Sequence, residues 1–193
     1  MPLTGPNMNQ IRVAGSGKLL VAPVGTAGPT DTVAAWGVGW QDLGFTTDTG
    51  VTFAKKDTFD KVPLWQVMVT GRLVPKERQL TFKFELTQMN SVTLPLWGGG
   101  GAVTTNGATA NEYAYSIAEN LTSYERALGI EWTDNNGAII HRLIVPRGQV
   151  TDTTDLMLTR TKAAGLGITF ECMGLDGTTP LVSFIMKDPN LIP

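Results

Sequence analysis

Cysteine and histidine occur once each in this chain, as Cys172 and His141. A single cysteine excludes an intramolecular disulfide and is compatible with a reducing compartment. A single histidine, set inside the apolar run from Ile139 to Val145, has no second imidazole to share a metal shell, and it reads as a structural or interface residue. Charge is also sparse, at 17% of residues with a net value of −2. The molecule therefore has no basic field with which to grip nucleic acid. No apolar segment approaches the length of a bilayer span. The opening Met1-Pro-Leu-Thr-Gly-Pro6 lacks the basic stretch and apolar run of a secretory signal, so synthesis and folding in a cytoplasm are expected.

The usual carriers of chemistry are missing too. Gly15-Ser-Gly-Lys18 resembles part of a phosphate loop, but Leu19 follows the lysine and a strand, not a helix, follows the loop. Cys172 sits on the apolar side of an alternating segment, the setting of a buried and unreactive thiol. Asn120-Leu-Thr122 fits a glycosylation sequon without a secretory context. Asp152 and Asp155 lack the spacing of a calcium loop and read as a solvated turn. Five tryptophans are dispersed and not interleaved with a basic stripe, so no base-stacking platform is built. Trp97 and Trp132 read as core, whereas Trp36, Trp40 and Trp65 lie near loops and read as interface anchors. No catalytic residue, metal ligand or cofactor site emerges, and a non-enzyme is expected.

What is present is glycine (22 residues), proline (11) and short alternating runs, which favour an all-β fold. Residues 1–17 read as a flexible arm, 18–187 as a single β-domain and 188–193 as a tail. A first strand is expected over Lys18–Val24, with Leu20, Ala22 and Val24 on one face, then a loop from Gly25 to Gly39 and a short strand over Trp40–Thr47. Leu80–Leu86 alternates most cleanly, with Leu80, Phe82, Phe84 and Leu86 inward and Thr81, Lys83 and Glu85 outward. A short helix is expected over Thr87–Thr93, stopped by the bias that Pro95 imposes on Leu94. Asp134-Asn-Asn-Gly137 marks a hairpin between Glu125–Thr133 and Ala138–Pro146. Further strands are expected over Gln149–Thr159, Leu166–Met173 and Leu181–Met186. The sum is a β-sandwich or flattened barrel of about eight or nine strands, one short flanking helix and a long extended loop.

That loop, residues 46–77, mixes charges without a sustained period from Val51 to Trp65. Val67–Leu73 then alternates as a strand with a solvated side, able to pair with part of Val51–Phe59. Lys55, Lys56, Asp57, Asp60, Lys61, Trp65 and Arg72 are the candidate contacts of this segment with other molecules. The charge balance is uneven along the chain, +2 through Trp97 and −4 from Gly98 onward.

Three blocks carry a family resemblance. The first is Leu20-Val-Ala-Pro-Val-Gly-Thr26 with Trp40-Gln-Asp-Leu-Gly44 and Asp48-Thr-Gly-Val-Thr52. The second is Leu80 to Gly98, with Asn90, Leu94 and Gly98 in place. The third is Ala164 to Gly174, continuing to Thr179-Pro-Leu181. In order and spacing the chain resembles the major tail proteins, or tail tube proteins, of long-tailed (siphovirus-type) bacteriophages.

The resemblance implies hexameric rings stacked into a hollow virion tube, assembled in the bacterial host cytoplasm around a tape-measure protein. It further implies tail terminator and tail-tip proteins as partners, and DNA ejected through the tube without sequence-specific binding or membrane contact. Two other readings are a different virion β-protein (tail terminator, head-tail joining or decoration protein) and, further off, a ligand-binding β-sandwich. The tube protein of type VI secretion shares the implied architecture, but the three blocks fit a phage better.

Overall fold

The computed structural model describes residues 6–107 and 109–191, so positions 1–5 of the expected arm and 192–193 of the expected tail lie outside the described residues. In chain order the strands are β1 (Ser16–Ala22), β2 (Gln41–Asp42), β3 (Thr46–Pro63), β4 (Thr70–Leu86), β5 (Thr104–Thr105), β6 (Tyr113–Ala114), β7 (Glu125–Asp134), β8 (Ile139–Thr153), β9 (Leu166–Cys172) and β10 (Ser183–Lys187), with one α-helix, α1 (Thr93–Gly98), among the described residues. The fold is all-β, as expected. Eight strands form one antiparallel sheet in the order β2-β1-β7-β8-β9-β4-β3, with β10 also paired to β8, and β5-β6 form a separate small ribbon.

β8 makes this single sheet into two layers. Its first half, Ile140 to Ile144, pairs β10, and its second half, Gly148 to Thr153, pairs β9 on the same edge. Between them lies Pro146, which has no N–H to give to a ladder. The β7–β8 register slips opposite this point, between Arg126 and Leu128, and a bulge of that kind bends a strand. Gly148 completes the bend: a Cβ there would lie 2.3 Å from the Phe170 ring and 2.4 Å from the Glu171 carbonyl. The layers β2-β1-β7-β8-β10 and β8-β9-β4-β3 then face each other.

Between the layers, Leu19, Val21, Leu128, Ile130, Leu143 and Val145 meet Leu80, Phe82, Phe84, Leu86, Leu166, Ile168 and Phe170. The alternation expected for Leu80–Leu86 is the observed burial pattern. The expected inward face of β1 is reversed: Leu19 and Val21 enter this core, whereas Leu20 and Ala22 are buried on the opposite side and Val24 lies beyond the strand. The reason is the loop over residues 25–40, which covers the outer face. Arg142 there donates to the Asp31 and Ala34 carbonyls (2.7 Å each), and Trp36 and Trp40 pack edge to face at 4.8 Å over Gly129. Both faces of β1 are thus apolar, so alternation alone could not choose between them.

The helix is displaced from expectation. It spans Thr93–Gly98, not Thr87–Thr93, because Pro95 sits in its first turn, where the amide would have no partner anyway. Asn90 Oδ1 accepts the Val92 and Thr93 amides at 2.8 and 2.9 Å, and Gly99, at φ 82°, closes the other end. Leu96 is thereby buried against the core.

Other boundaries move as well. β8 is continuous through Pro146 to Thr153, and Thr154–Thr159, expected as strand, is an exposed loop. Residues 10–13 are tied down: Arg12 makes a two-pronged ion pair with Asp188 (2.6 and 2.5 Å), and the Val13 amide donates to Asp134.

Candidate assembly surface

β3 and β4 leave the body together. β4 pairs β9 only from Thr81 to Leu86, while β3 pairs β4 from Thr46 to Pro63. Beyond Leu80 the two strands have only each other. The result is a two-stranded arm whose side chains from 52 to 78 are almost all exposed, closed by a tip over residues 64–69. At about 3.3 Å per residue, the distance from Asp48, at the body end of β3, to Pro63 is about 50 Å. The stretch expected to be aperiodic is therefore strand. A ribbon wetted on both faces needs no apolar period, and that is why none is visible.

The arm is nonetheless apolar in places. Phe59, Val62, Leu64, Val67, Val69, Leu73 and Val74 are exposed, and Trp65 is 97% exposed at the tip. From Val62 to Thr70 there is no charge at all. Val67–Leu73, expected as one strand, straddles this tip and the start of β4 at Thr70. An isolated two-stranded ribbon is marginal in water, and two open edges are a pairing hazard. The arm has no core of its own to hold it.

Charge sorts along the arm. Asp57 holds Arg78 through two hydrogen bonds (2.8 and 3.1 Å) and Lys55 at 3.2 Å, and Asp60 meets Lys76 at 3.4 Å. The Arg78 hydrogen bond is the main cause that holds the Asp57 carboxyl below its ordinary value. Among the described residues Lys56, Lys61 and Arg72 have no ion-pair partner. Residues 54–79 carry six Lys/Arg and three Asp/Glu, a balance of +3, and the remaining nine and fourteen give −5. Of the seven candidate contacts, the structure brings all onto this arm. It spends Lys55, Asp57 and Asp60 on internal pairs and leaves Lys56, Lys61, Trp65 and Arg72 facing outward.

A second feature was not foreseen from sequence. At the body end of β3 and β4, opposite the tip, Thr47, Asp48 and Thr49 of β3, Glu85 of β4 and the loop carrying Asp155 and Met157 line a groove of about 680 Å³. Met157 lines it, and this residue and its chain neighbours Leu156 and Leu158 are exposed. The signal was the unbroken Leu-Met-Leu run, which reads as strand when taken by itself.

The other singled-out residues are structural. His141 is buried and stacks on Trp132 at 4.0 Å and 4°; burial is the main cause that lowers its pKa. Trp36 donates to Glu131 (2.9 Å), as do Arg142 (2.6 Å) and Lys18 (3.0 Å). Burial pushes the Glu131 carboxyl up, but these three partners outweigh it and hold the group low. Trp36 and Trp40 thus anchor their own loop. Cys172 is buried and its pKa is pushed up to about 12 by desolvation. Among the described residues no cluster of His, Cys, Asp or Glu could hold a metal ion, and no helix is long and apolar enough to cross a membrane.

A β-domain that extends an unsupported, apolar-tipped ribbon far beyond its core belongs to the proteins that complete their packing by assembling. The family described as phage tail tube protein matches residues 4–193, nearly the whole chain, and the chain belongs to it. It is accordingly a structural component of a phage tail. No curated protein matches the chain.

Proposed function

We propose that the protein forms hexameric rings that stack into the tube of a phage tail, the conduit through which DNA is ejected. The observation that carries this reading is the β3–β4 arm, with two open edges, an uncharged apolar tip and unpaired cations. Ring closure gives such an arm a neighbour in every subunit, and stacking repeats that contact without an end. Six weak contacts per ring add, so a small term per subunit suffices to select one arrangement.

Family membership supports the partners expected of a tube: a tape-measure protein in the lumen during assembly, and terminator and tail-tip proteins at the ends. DNA passes without base-specific contact. A balance of −5 outside the arm suits a conduit, since a basic wall would hold phosphates electrostatically. Assembly takes place in the host cytoplasm, where the lone buried thiol stays reduced.

Electron microscopy of concentrated protein, alone and with a tail initiator, tests the reading. Open-ended tubes of uniform diameter with six subunits per ring are expected. Finite rings that never stack would instead favour a terminator or joining protein, and a strict monomer under both conditions would defeat the tube.

A further inference from the structure

Resting on that self-assembling reading, we propose that the groove at the body end of β3 and β4, opposite the tip, is the socket for the arm tip of a second copy. The uncharged tip around Trp65 and Met68 would seat against Met157, with Lys61 and Arg72 opposite Asp48, Glu85 and Asp155. Three observations converge on this occupant. The tip is apolar and flanked by one unpaired cation on each strand, Lys61 on β3 and Arg72 on β4. The groove reverses that pattern: exposed Met157 lies among Asp48, Glu85 and Asp155, with Lys162 as its one cation, and none of the three carboxylates is ion-paired among the described residues. The groove's size, about 680 Å³, lies in the range that encloses a few large side chains.

The socket cannot be filled from within. A straight β3 places the tip about 50 Å from the groove at its other end. The occupant is therefore another molecule, and each copy carries one tip and one socket. Contacts of this head-to-tail kind propagate or close into rings, whereas two copies that exchanged tips reciprocally would stop at a dimer, which the ladder from a double cysteine variant distinguishes. Opposite charges flanking an apolar contact also set its register, because a shifted tip would face cations with Lys162.

The test uses disulfide trapping, for which the native chain is well suited: Cys172 is its single cysteine and is buried. Met68 and Met157 are both exposed, so Met68→Cys and Met157→Cys leave the core untouched. Mixed single variants, and the double variant, are assembled and oxidised mildly. The expected result is a covalent Met68→Cys/Met157→Cys dimer from the mixture and a ladder from the double variant. Neither single variant alone should cross-link. In parallel, Lys61→Glu with Arg72→Glu should cut assembly at least tenfold, and adding Asp48→Lys with Asp155→Lys should restore most of it. Tubes that form without the specific cross-link, and are indifferent to the reversals, would overturn the socket while leaving the tube standing. A cross-link only to a different tail protein would reassign the socket's occupant and overturn the self-docking. A wild type that never assembles would sink both readings.

Discussion

β4 is one strand with two lives. From Leu80 to Leu86 it alternates between buried and exposed positions, pairs strands on both sides and contributes Phe82 and Phe84 to the core. From Thr70 to Gln79 it pairs only β3 and buries almost nothing. Backbone geometry is shared, so the difference lies in what the side chains are composed to meet. The inner half meets the chain's own core, and the outer half meets only β3 among the described residues. Stability and assembly should consequently be separable by mutation along a single strand.

The sharpest way to break that comparison is in the inner half. Phe82 is 1% exposed and stacks on Phe53 at 4.6 Å. Phe82→Ala is expected to cost about 3–5 kcal/mol of monomer stability, a large part of what one domain possesses. Thermal or denaturant melts would show it, and a loss below about 1 kcal/mol would mean that the inner half is not the core described.

A second change probes the bend that brings the layers together. Gly148→Ala places a methyl against the Phe170 ring and the Glu171 carbonyl, and the backbone atom cannot rotate away. Overpacking of this kind costs about 1–3 kcal/mol. Since the substituted glycine lies within the body, separated from β4 by β9, the loss should appear in the melt of the isolated subunit.

The arm's own electrostatics give a smaller, pH-dependent effect. The Asp57 carboxyl lies below its ordinary value of 3.8 because Arg78 donates to it. A depressed folded pKa adds stability that is complete above the unfolded value and is lost as pH falls through the folded one. Amide resonances around Asp57 and Arg78 should therefore be unchanged from pH 7 to 5 and shift only below about pH 4. A shift centred near neutrality would assign the pair a different role.

The least effect on the monomer is expected where the effect on assembly is greatest. Trp65→Ala removes a side chain that touches little of its own chain, so the subunit's melt should move by no more than about 0.5 kcal/mol. Tube formation should fail. Normal assembly of this variant, followed by light scattering, would remove the tip from the interface.

The same division explains what could be read from sequence. The inner half of β4 and the Asn-Gly hairpin were legible because each is local: period-2 burial in one case, and in the other positive φ at Asn136 and Gly137. A hairpin was open to view from the alternation of Val67–Leu73, but the full length of the strand over residues 46–63 was hidden, since a strand exposed on both faces is free of the alternation by which strands are recognised. The helix was shifted by using Pro95 as a stop when the Asn90 cap and the first turn accommodate it. The outer covering of β1 and the groove beside Asp48 and Glu85 join segments distant in sequence, and no local pattern announces such meetings. The seven arm contacts could be nominated by charge and tryptophan placement, but only register told internal pairs from outward cations.

Hydrogen exchange on the isolated subunit and on assembled tubes tests the division between the two halves of β4 most directly. In the monomer, amides of residues 81–86 should be strongly protected and those of 54–79 should exchange fast, because the outer ribbon opens locally without unfolding the core. In tubes, protection should extend along 54–79 and into the tip. Strong protection of the arm in both states would contradict the account, as would an arm that remains unprotected in the tube.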